Sequence, residues 1–162
     1  MSVLKELYRH NRWANLTLLD FCIPLDTQKL ITAAPGTATG FGAWGCLVHL
    51  VFSEEGYYEA VTSEKLDVPP FDPQNPPGLA ELRPRMEVIA DRFIGFADQL
   101  PEDRIVEGEF DGEPYSMPAF IPFLQCINHS TEHREQTKAC LTVAGLEPPA
   151  VDFWAWQDAG RP

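Results

Sequence analysis

The fold of this chain is best approached from one late stretch, Cys126-Ile-Asn-His-Ser-Thr-Glu-His-Arg-Glu-Gln136. It contains His129 and His133, which lie four residues apart with no proline or glycine between them. Four residues along an α-helix correspond to about 6 Å of rise and about 40° of rotation, so both imidazoles leave one face. The spacing therefore predicts a helix with two candidate metal ligands at its middle, or else a solvated face with two incidental histidines.

Proline marks the ends of the predicted helices. The proline-rich stretch from Val68 to Gly78 cannot be helical, because proline lacks the amide donor and clashes with the preceding turn. The long stretches around it carry apolar residues at helical spacing. Four such helices predict an all-α four-helix bundle in a single domain over residues 1–162. The predicted helices run roughly over Ser2–Phe21, Phe41–Ser63, Gly78–Gln99 and Pro118–Ala144, the last stopped by Gly145.

Two further segments break the helical pattern. Between the third and fourth helices, Arg104 to Met117 alternates apolar and polar residues around the tight-turn signal Asp111-Gly112. This predicts a short β-hairpin that leans on the helices, since an isolated hairpin is weak. The tail from Leu146 to Pro162 carries Trp154 and Trp156, and we expect it to pack onto the bundle or onto a partner chain.

The charge balance excludes several classes of partner. Asp and Glu number 24 against 12 Lys and Arg, a net charge of −12, which argues against nucleic acid and anionic membrane surfaces. No apolar run approaches the roughly 18 residues of a membrane span, and the N-terminus lacks the apolar core of a secretory signal. We expect a cytoplasmic protein whose four cysteines are reduced and mostly buried: Cys22, Cys46, Cys126 and Cys140.

The other two histidines differ in context. His49 lies inside the apolar run Leu47–Phe52, which predicts a buried, neutral ring with a hydrogen-bond partner. Taken alone, it reads as a core histidine bonded to a backbone carbonyl. His10 lies beside Arg9 and Arg12 and is expected at the surface.

Together, His49, His129 and His133 predict a three-histidine metal site, because a bundle brings mid-helix faces together. Three imidazoles suit zinc, nickel, iron, manganese or copper, and we expect one divalent ion, zinc or nickel before iron or manganese. Such a set leaves coordination positions open, and its neutral ligands leave the ion its full charge to acidify a bound water or thiol. A closed Cys₂His₂ site using Cys46 and Cys126 is the alternative, although it would leave out His133.

Several motifs are similar to those of a known superfamily. The stretch from Asn128 to Gln136 resembles the fourth-helix motif of the DinB/YfiT-like metalloproteins, and Leu47–Leu50 followed by Glu54-Glu55 resembles their second-helix motif. The segments Asn11–Asn15 and Pro148–Phe153 are also similar. The resemblance implies a four-helix bundle with one divalent ion on His49, His129 and His133. It also implies a homodimer, and relatives that transfer thiols such as bacillithiol, mycothiol or glutathione.

The predicted function follows from this resemblance. We expect a metal-dependent transferase that activates a low-molecular-weight thiol for S-transfer to an electrophilic substrate. A non-catalytic metal or small-ligand binding protein and a metal-dependent hydrolase remain the alternatives. No catalytic residue beyond the ligands is identified, and a nucleophilic Cys46 or Cys126 is disfavoured by apolar surroundings. Candidate hydrogen-bond partners for the imidazoles are Glu54, Glu55, Glu132 and Gln136, although each of them taken alone is more typical of a solvated helix face. Arg134 and Lys138 could bind a carboxylate or simply be surface charges.

Overall fold

The structure is a computed structural model that describes residues 2–37, 40, 42–70, 72, 75–101, 103–110 and 112–162. These residues form a helical bundle with one antiparallel hairpin, as predicted from the sequence. The predicted helix start at Phe41 and the turn residue Asp111 lie outside the described residues. The helices are α1 Val3–Cys22, α2 Thr27–Leu30, α3 Gly42–Thr62, α4 Leu79–Phe96, α5 Phe120–Val143 and α6 Phe153–Asp158, and the strands are β1 Ile105–Phe110 and β2 Glu113–Pro118.

The four long helices share one apolar core. α3 packs mainly on α5 and α1 packs mainly on α4, while α3 and α4 close the bundle. At the centre the Tyr8 ring contacts Phe93 and Phe123, with ring centroids 4.9 Å and 4.7 Å away. The Tyr8 hydroxyl donates to the carbonyl of Phe123 over 2.6 Å, which satisfies the one polar atom of this aromatic cluster. This aromatic cluster therefore connects α1, α4 and α5 inside the core.

The short helix α2 was not predicted from the sequence. The Asp26 side chain caps it by accepting from the backbone amide of Gln28 over 2.7 Å. α2 packs closely on the start of α3, where Gly42 adopts φ +69°. A Cβ atom at Gly42 would overlap the backbone of Leu30 and Ile31, so only glycine fits this contact.

The hairpin forms between α4 and α5 as predicted, and the tail packs on the bundle but leaves one tryptophan exposed. β1 and β2 pair from Ile105 opposite Pro118 to Phe110 opposite Glu113, and Arg104 anchors the hairpin by donating to the carbonyl of Thr62. α6 packs on α1 and buries Trp156, which confirms that the tail returns to the bundle. Trp154 nevertheless stays 81% exposed.

Two other predictions can be compared with the described residues. All four cysteines are free and buried, as expected. Within the described part of the chain, no helix combines the length and the apolar character that crossing a bilayer requires.

Candidate metal centre

The structure brings the three predicted ligands together. His49 Nε2 lies 3.2 Å from His129 Nε2, and His133 Nε2 lies 3.1 Å from the same atom. One ligand nitrogen from each ring lies within 4.8 Å of the others. In the described part of the chain, this is the one group of three or more such side chains with metal-binding spacing. Metal binding itself stays a prediction.

The two helices meet in the orientation that such a cluster needs. Contacts of Cys46 with Gln136 and of His49 with His133 show that α3 and α5 run antiparallel. Side chains on a helix lean toward its N-terminus. On antiparallel neighbours the side chains therefore lean in opposite directions along the axes, and the ring contacts of His49 with His129 and His133 show that the three imidazoles still converge.

The three rings differ in their access to solvent. His133 is buried, His129 is partly buried and His49 is exposed. The prediction that His49 is a buried core residue is therefore wrong. α3 is buried around most of its circumference, and His49 lies on the narrow strip that is left uncovered, together with Gly56. Its position opens the cluster to solvent on one side.

Burial keeps the three imidazoles neutral. Desolvation lowers the pKa of His129 to about 4, and the neighbouring His133 and His49 rings act in the same direction. Although the His49 side chain is exposed, partial desolvation also lowers its pKa. Desolvation, and then the charge that His49 would carry, lower the pKa of His133. At neutral pH each ring therefore offers a lone pair, the form in which imidazole binds metals.

The observed separations fit a shared cation. A neutral imidazole Nε2 can either donate one hydrogen or accept one, so His129 Nε2 cannot satisfy both neighbours at hydrogen-bond distance. Two nitrogens that each lie about 2.0–2.1 Å from one tetrahedral zinc ion are about 3.3 Å apart, close to the distances seen here. The Nδ1 atoms of His129 and His133 are buried with no hydrogen-bond partner among the described residues. Coordination through Nε2 would leave the ring hydrogen on these atoms.

Three of the four candidate hydrogen-bond partners of the imidazoles bind other groups. Glu55 forms a two-pronged ion pair with Arg85, at 2.9 Å and 2.7 Å. Glu132 accepts from Asn128 over 2.9 Å. Glu54 points into the core. Gln136 lies beside the cluster, where its side chain, after the charge of Glu132, raises the pKa of His133 against the lowering effect of burial. The prediction that Glu54, Glu55 and Glu132 orient the imidazoles is not supported by these contacts.

A buried polar network, which was not predicted from the sequence, lies directly behind the histidines. Glu54 Oε1 accepts from Asn11 Nδ2 and Asn15 Nδ2, each over 2.7 Å, and from Ser130 Oγ over 2.6 Å. Arg134 donates to Asn11 Oδ1 over 2.5 Å and to Asn15 Oδ1 over 2.7 Å. Two amides therefore bridge a buried carboxylate and a buried guanidinium. This network links α1, α3 and α5.

Arg134 is accordingly neither a surface charge nor a candidate for substrate binding. It is buried, and desolvation lowers its pKa to about 10, against the opposing effect of Glu54. The guanidinium remains charged at neutral pH. Ser130 is the residue after His129, and Arg134 is the residue after His133. The network therefore holds the face of α5 that adjoins the histidine face.

His10 was expected at the surface and is buried instead. The C-terminal tail covers it: its Nε2 atom donates to the carbonyl of Val151 over 2.9 Å, and its ring stacks on Phe153 at 3.8 Å. Burial lowers its pKa, so the ring is neutral at neutral pH. His10 thus holds the tail on α1, far in sequence from the other histidines.

The cysteine alternatives receive no support from the described residues. Cys46 and Cys126 are buried and take no place in the metal-spaced group. Burial raises the pKa of Cys126 well above its ordinary value, so its thiol stays protonated and unreactive. A Cys₂His₂ site would also need His133 turned away, whereas its Nε2 faces His129.

Fold and site together define the class: a helical bundle with an open three-histidine centre at the α3–α5 groove. Residues 1–160 match the family model described as DinB family. The chain therefore belongs to the DinB family, in agreement with the resemblance drawn from its motifs. Comparison with curated proteins and with solved structures found no match.

Proposed function

We propose that this chain is a metal-dependent transferase that activates a low-molecular-weight thiol for S-transfer to an electrophile. The observation that carries the proposal is the convergence of three neutral imidazoles with His49 on the solvent-exposed side. A set of three protein ligands with one accessible side is typical of catalytic rather than structural metal sites.

The chemistry follows from the character of the donor set. His49, His129 and His133 each contribute a neutral lone pair, and the group contains no carboxylate or thiolate. A divalent ion held by such ligands would lower the pKa of a thiol or water at an open position and favour the anionic nucleophile. The three histidines therefore act as ligands, not as proton carriers. Ser130 and Arg134, through their contacts behind the rings, keep α5 in place.

The preference for a thiol over water comes from the family resemblance. Low-molecular-weight thiols are kept reduced in the cytoplasm, and four free buried cysteines suit the same compartment, so we infer a cytoplasmic setting. We also infer a homodimer, for which the exposed Trp154 offers one candidate contact. The proposed partners are a small thiol and an electrophile, with neither nucleic acid nor membrane involved.

The test is a thiol panel with the metal-loaded protein. Glutathione, bacillithiol, mycothiol and cysteine would each be offered with chlorodinitrobenzene, with and without chelator, beside a His129→Ala variant. We expect chelator-sensitive turnover with at least one thiol and none in the variant. Ester hydrolysis without added thiol would instead support the hydrolase, and no turnover of either kind would support the binding protein.

A further inference from the structure

A cavity of about 380 Å³ lies where α1, α4 and the end of the tail meet. None of its lining residues belongs to α3 or α5, the two helices that carry the candidate metal ligands. The lining combines three arginines with one acidic and two apolar residues: Arg9, Arg12, Arg161, Asp91, Ile94 and Pro162. The chain as a whole has a net charge of −12, so a cavity at which cations outnumber side-chain carboxylates is a local exception and a candidate anion site.

Arg161 brings an unshared positive charge to this cavity. Its backbone amide donates to the carbonyl of Trp156 over 3.0 Å, and the Trp156 side chain is buried, so the end of the tail is anchored to the bundle. The Arg161 guanidinium makes no hydrogen bond or ion pair with any of the residues that the structure describes. All five of its N–H donors are therefore available to a ligand.

Ion pairs orient the two arginines that α1 contributes. Arg12 donates through Nε to Asp91 and through Nη2 to Glu87 on α4, each over 2.8 Å. Arg9 donates through Nη1 to Glu6 over 2.6 Å. A guanidinium has five N–H groups, so each of these side chains keeps donors beyond the bonds that hold it. The cavity is thus bordered by guanidinium groups from α1 on one side and from the tail on the other.

We propose that this cavity binds a small phosphate monoester, whose phosphoryl group is held by Arg9 and Arg161 with Arg12 behind them. A phosphate monoester carries a charge of about −1.5 to −2 at neutral pH and three strong acceptor oxygens. A carboxylate ligand has one charge and two oxygens, which a single arginine can satisfy with two parallel hydrogen bonds. Three guanidinium groups against one side-chain carboxylate therefore match the phosphate better.

The size of the cavity favours an organic phosphate over the inorganic ion. Sites for small molecules generally measure about 300–1,000 Å³, and this cavity lies near the lower end of that range. The side chains of Ile94 and Pro162 give the lining an apolar part that can contact carbon atoms of the ligand. The proposal concerns binding at α1 and α4 and does not depend on the proposed thiol transfer.

Isothermal titration calorimetry with glycerol 3-phosphate tests the site, with inorganic phosphate and acetate as comparison ligands. The metal-loaded protein is titrated first and then titrated again after chelation, because a phosphate could also bind a metal ion. We expect saturable binding of glycerol 3-phosphate with a Kd of about 1 mM or lower in both forms, and weaker binding of both comparison ligands. The proposal is overturned by an absence of saturable binding, by binding that is lost on chelation, or by equal affinity for inorganic phosphate or acetate.

Substitutions of opposite sign test which residues bind the phosphate. Arg9→Gln and Arg161→Gln should each weaken glycerol 3-phosphate binding about tenfold or more, the loss of one hydrogen bond between charged groups. Asp91→Asn removes the one side-chain carboxylate of the lining and should strengthen binding. These three side chains are exposed, so we expect each variant to fold.

Arg92→Gln is the matched control, because it removes the same charge from an exposed position on α4. The Arg92 guanidinium lies over the Tyr58 ring, 5.8 Å from its centroid, and does not line the cavity. In about 0.15 M salt, which screens exposed charges away from the ligand, the control should change the affinity by less than about twofold. Equal losses in Arg92→Gln and Arg161→Gln, or weaker binding in Asp91→Asn, would contradict the proposed site.

Discussion

Replacing Arg134 with methionine should be among the most destabilising single changes in this bundle. Its guanidinium donates to Asn11 and Asn15, whose side chains are buried, and to Thr131 Oγ1 over 2.8 Å. Methionine fills similar space but donates nothing. Each buried acceptor left unpaired costs about 1–3 kcal/mol, so the two amide oxygens alone account for about 2–6 kcal/mol.

The carboxylate of Glu54 adds to this loss. It is fully buried; burial raises its pKa, and the hydrogen bonds that it accepts and the charge of Arg134 oppose this rise. Removing one partner of a buried charge pair typically costs about 3–5 kcal/mol, which lies within the range from the amides. That is a large share of the roughly 5–15 kcal/mol that stabilises a domain. We therefore expect Arg134→Met to lower the free energy of unfolding by about 3–5 kcal/mol.

Urea denaturation of the metal-free protein, followed by far-UV circular dichroism, measures this change. The matched control is Arg83→Met, because Arg83 pairs with Asp20 at 2.6 Å with 38% and 49% of the two side-chain surfaces exposed, and surface pairs contribute about 0–1 kcal/mol. Adding Glu54→Gln to Arg134→Met should recover part of the stability by removing the unpaired charge. If Arg134→Met loses no more than Arg83→Met, the network does not hold the bundle as described.

Four further predictions concern the histidines and the tail. His129→Ala should abolish binding of about one metal ion per chain, measured by elemental analysis, while its helical content is retained. His10→Ala should lower the unfolding temperature without changing the metal content. Equal metal loss in both variants would contradict the assignment of the ligands. Because the pKa values of His129 and His133 are lowered, protons should displace a bound metal only at a lower pH than for ordinary imidazoles. Dialysis should show the ion retained below the ordinary imidazole pKa and lost toward about pH 4. Loss of the ion already at the ordinary pKa would contradict this prediction. The same shifts make the unfolded chain the better proton acceptor, so metal-free stability should fall as pH drops below the ordinary histidine value. Trp154→Ala should leave monomer stability within about 0.5 kcal/mol, and sedimentation should show dissociation if Trp154 lies in a dimer contact.

The long helices and the three-histidine grouping were predictable because both depend on spacing along the chain. Proline and glycine set the helix ends, and the His129–His133 spacing fixed a common face. The short helix α2 has only four residues, too few to show any period, and its one sequence signal is the capping residue Asp26.

The exposure of His49 and the burial of His10 could not be read from neighbours in sequence. An apolar run shows that a helix is mostly buried but does not show which narrow strip stays open. His10 is covered by Val151 and Phe153, more than a hundred residues away, so its burial depends on the tertiary path of the tail. One signal of the polar network was present: Asn11 and Asn15 share the face of α1 that carries buried Leu18.

The stretch that carries the metal ligands is in fact two interleaved patterns. His129 and His133 form one pair four residues apart, and Ser130 and Arg134 form a second pair shifted by one residue. A shift of one residue turns a side chain by about 100°, so the second pair faces the adjoining side of α5. There it meets Glu54 and the two asparagines, while the first pair meets His49. Because α3 supplies a partner to each pair, His49 to one and Glu54 to the other, one helix contact sets both the position of the imidazoles and the network that supports them.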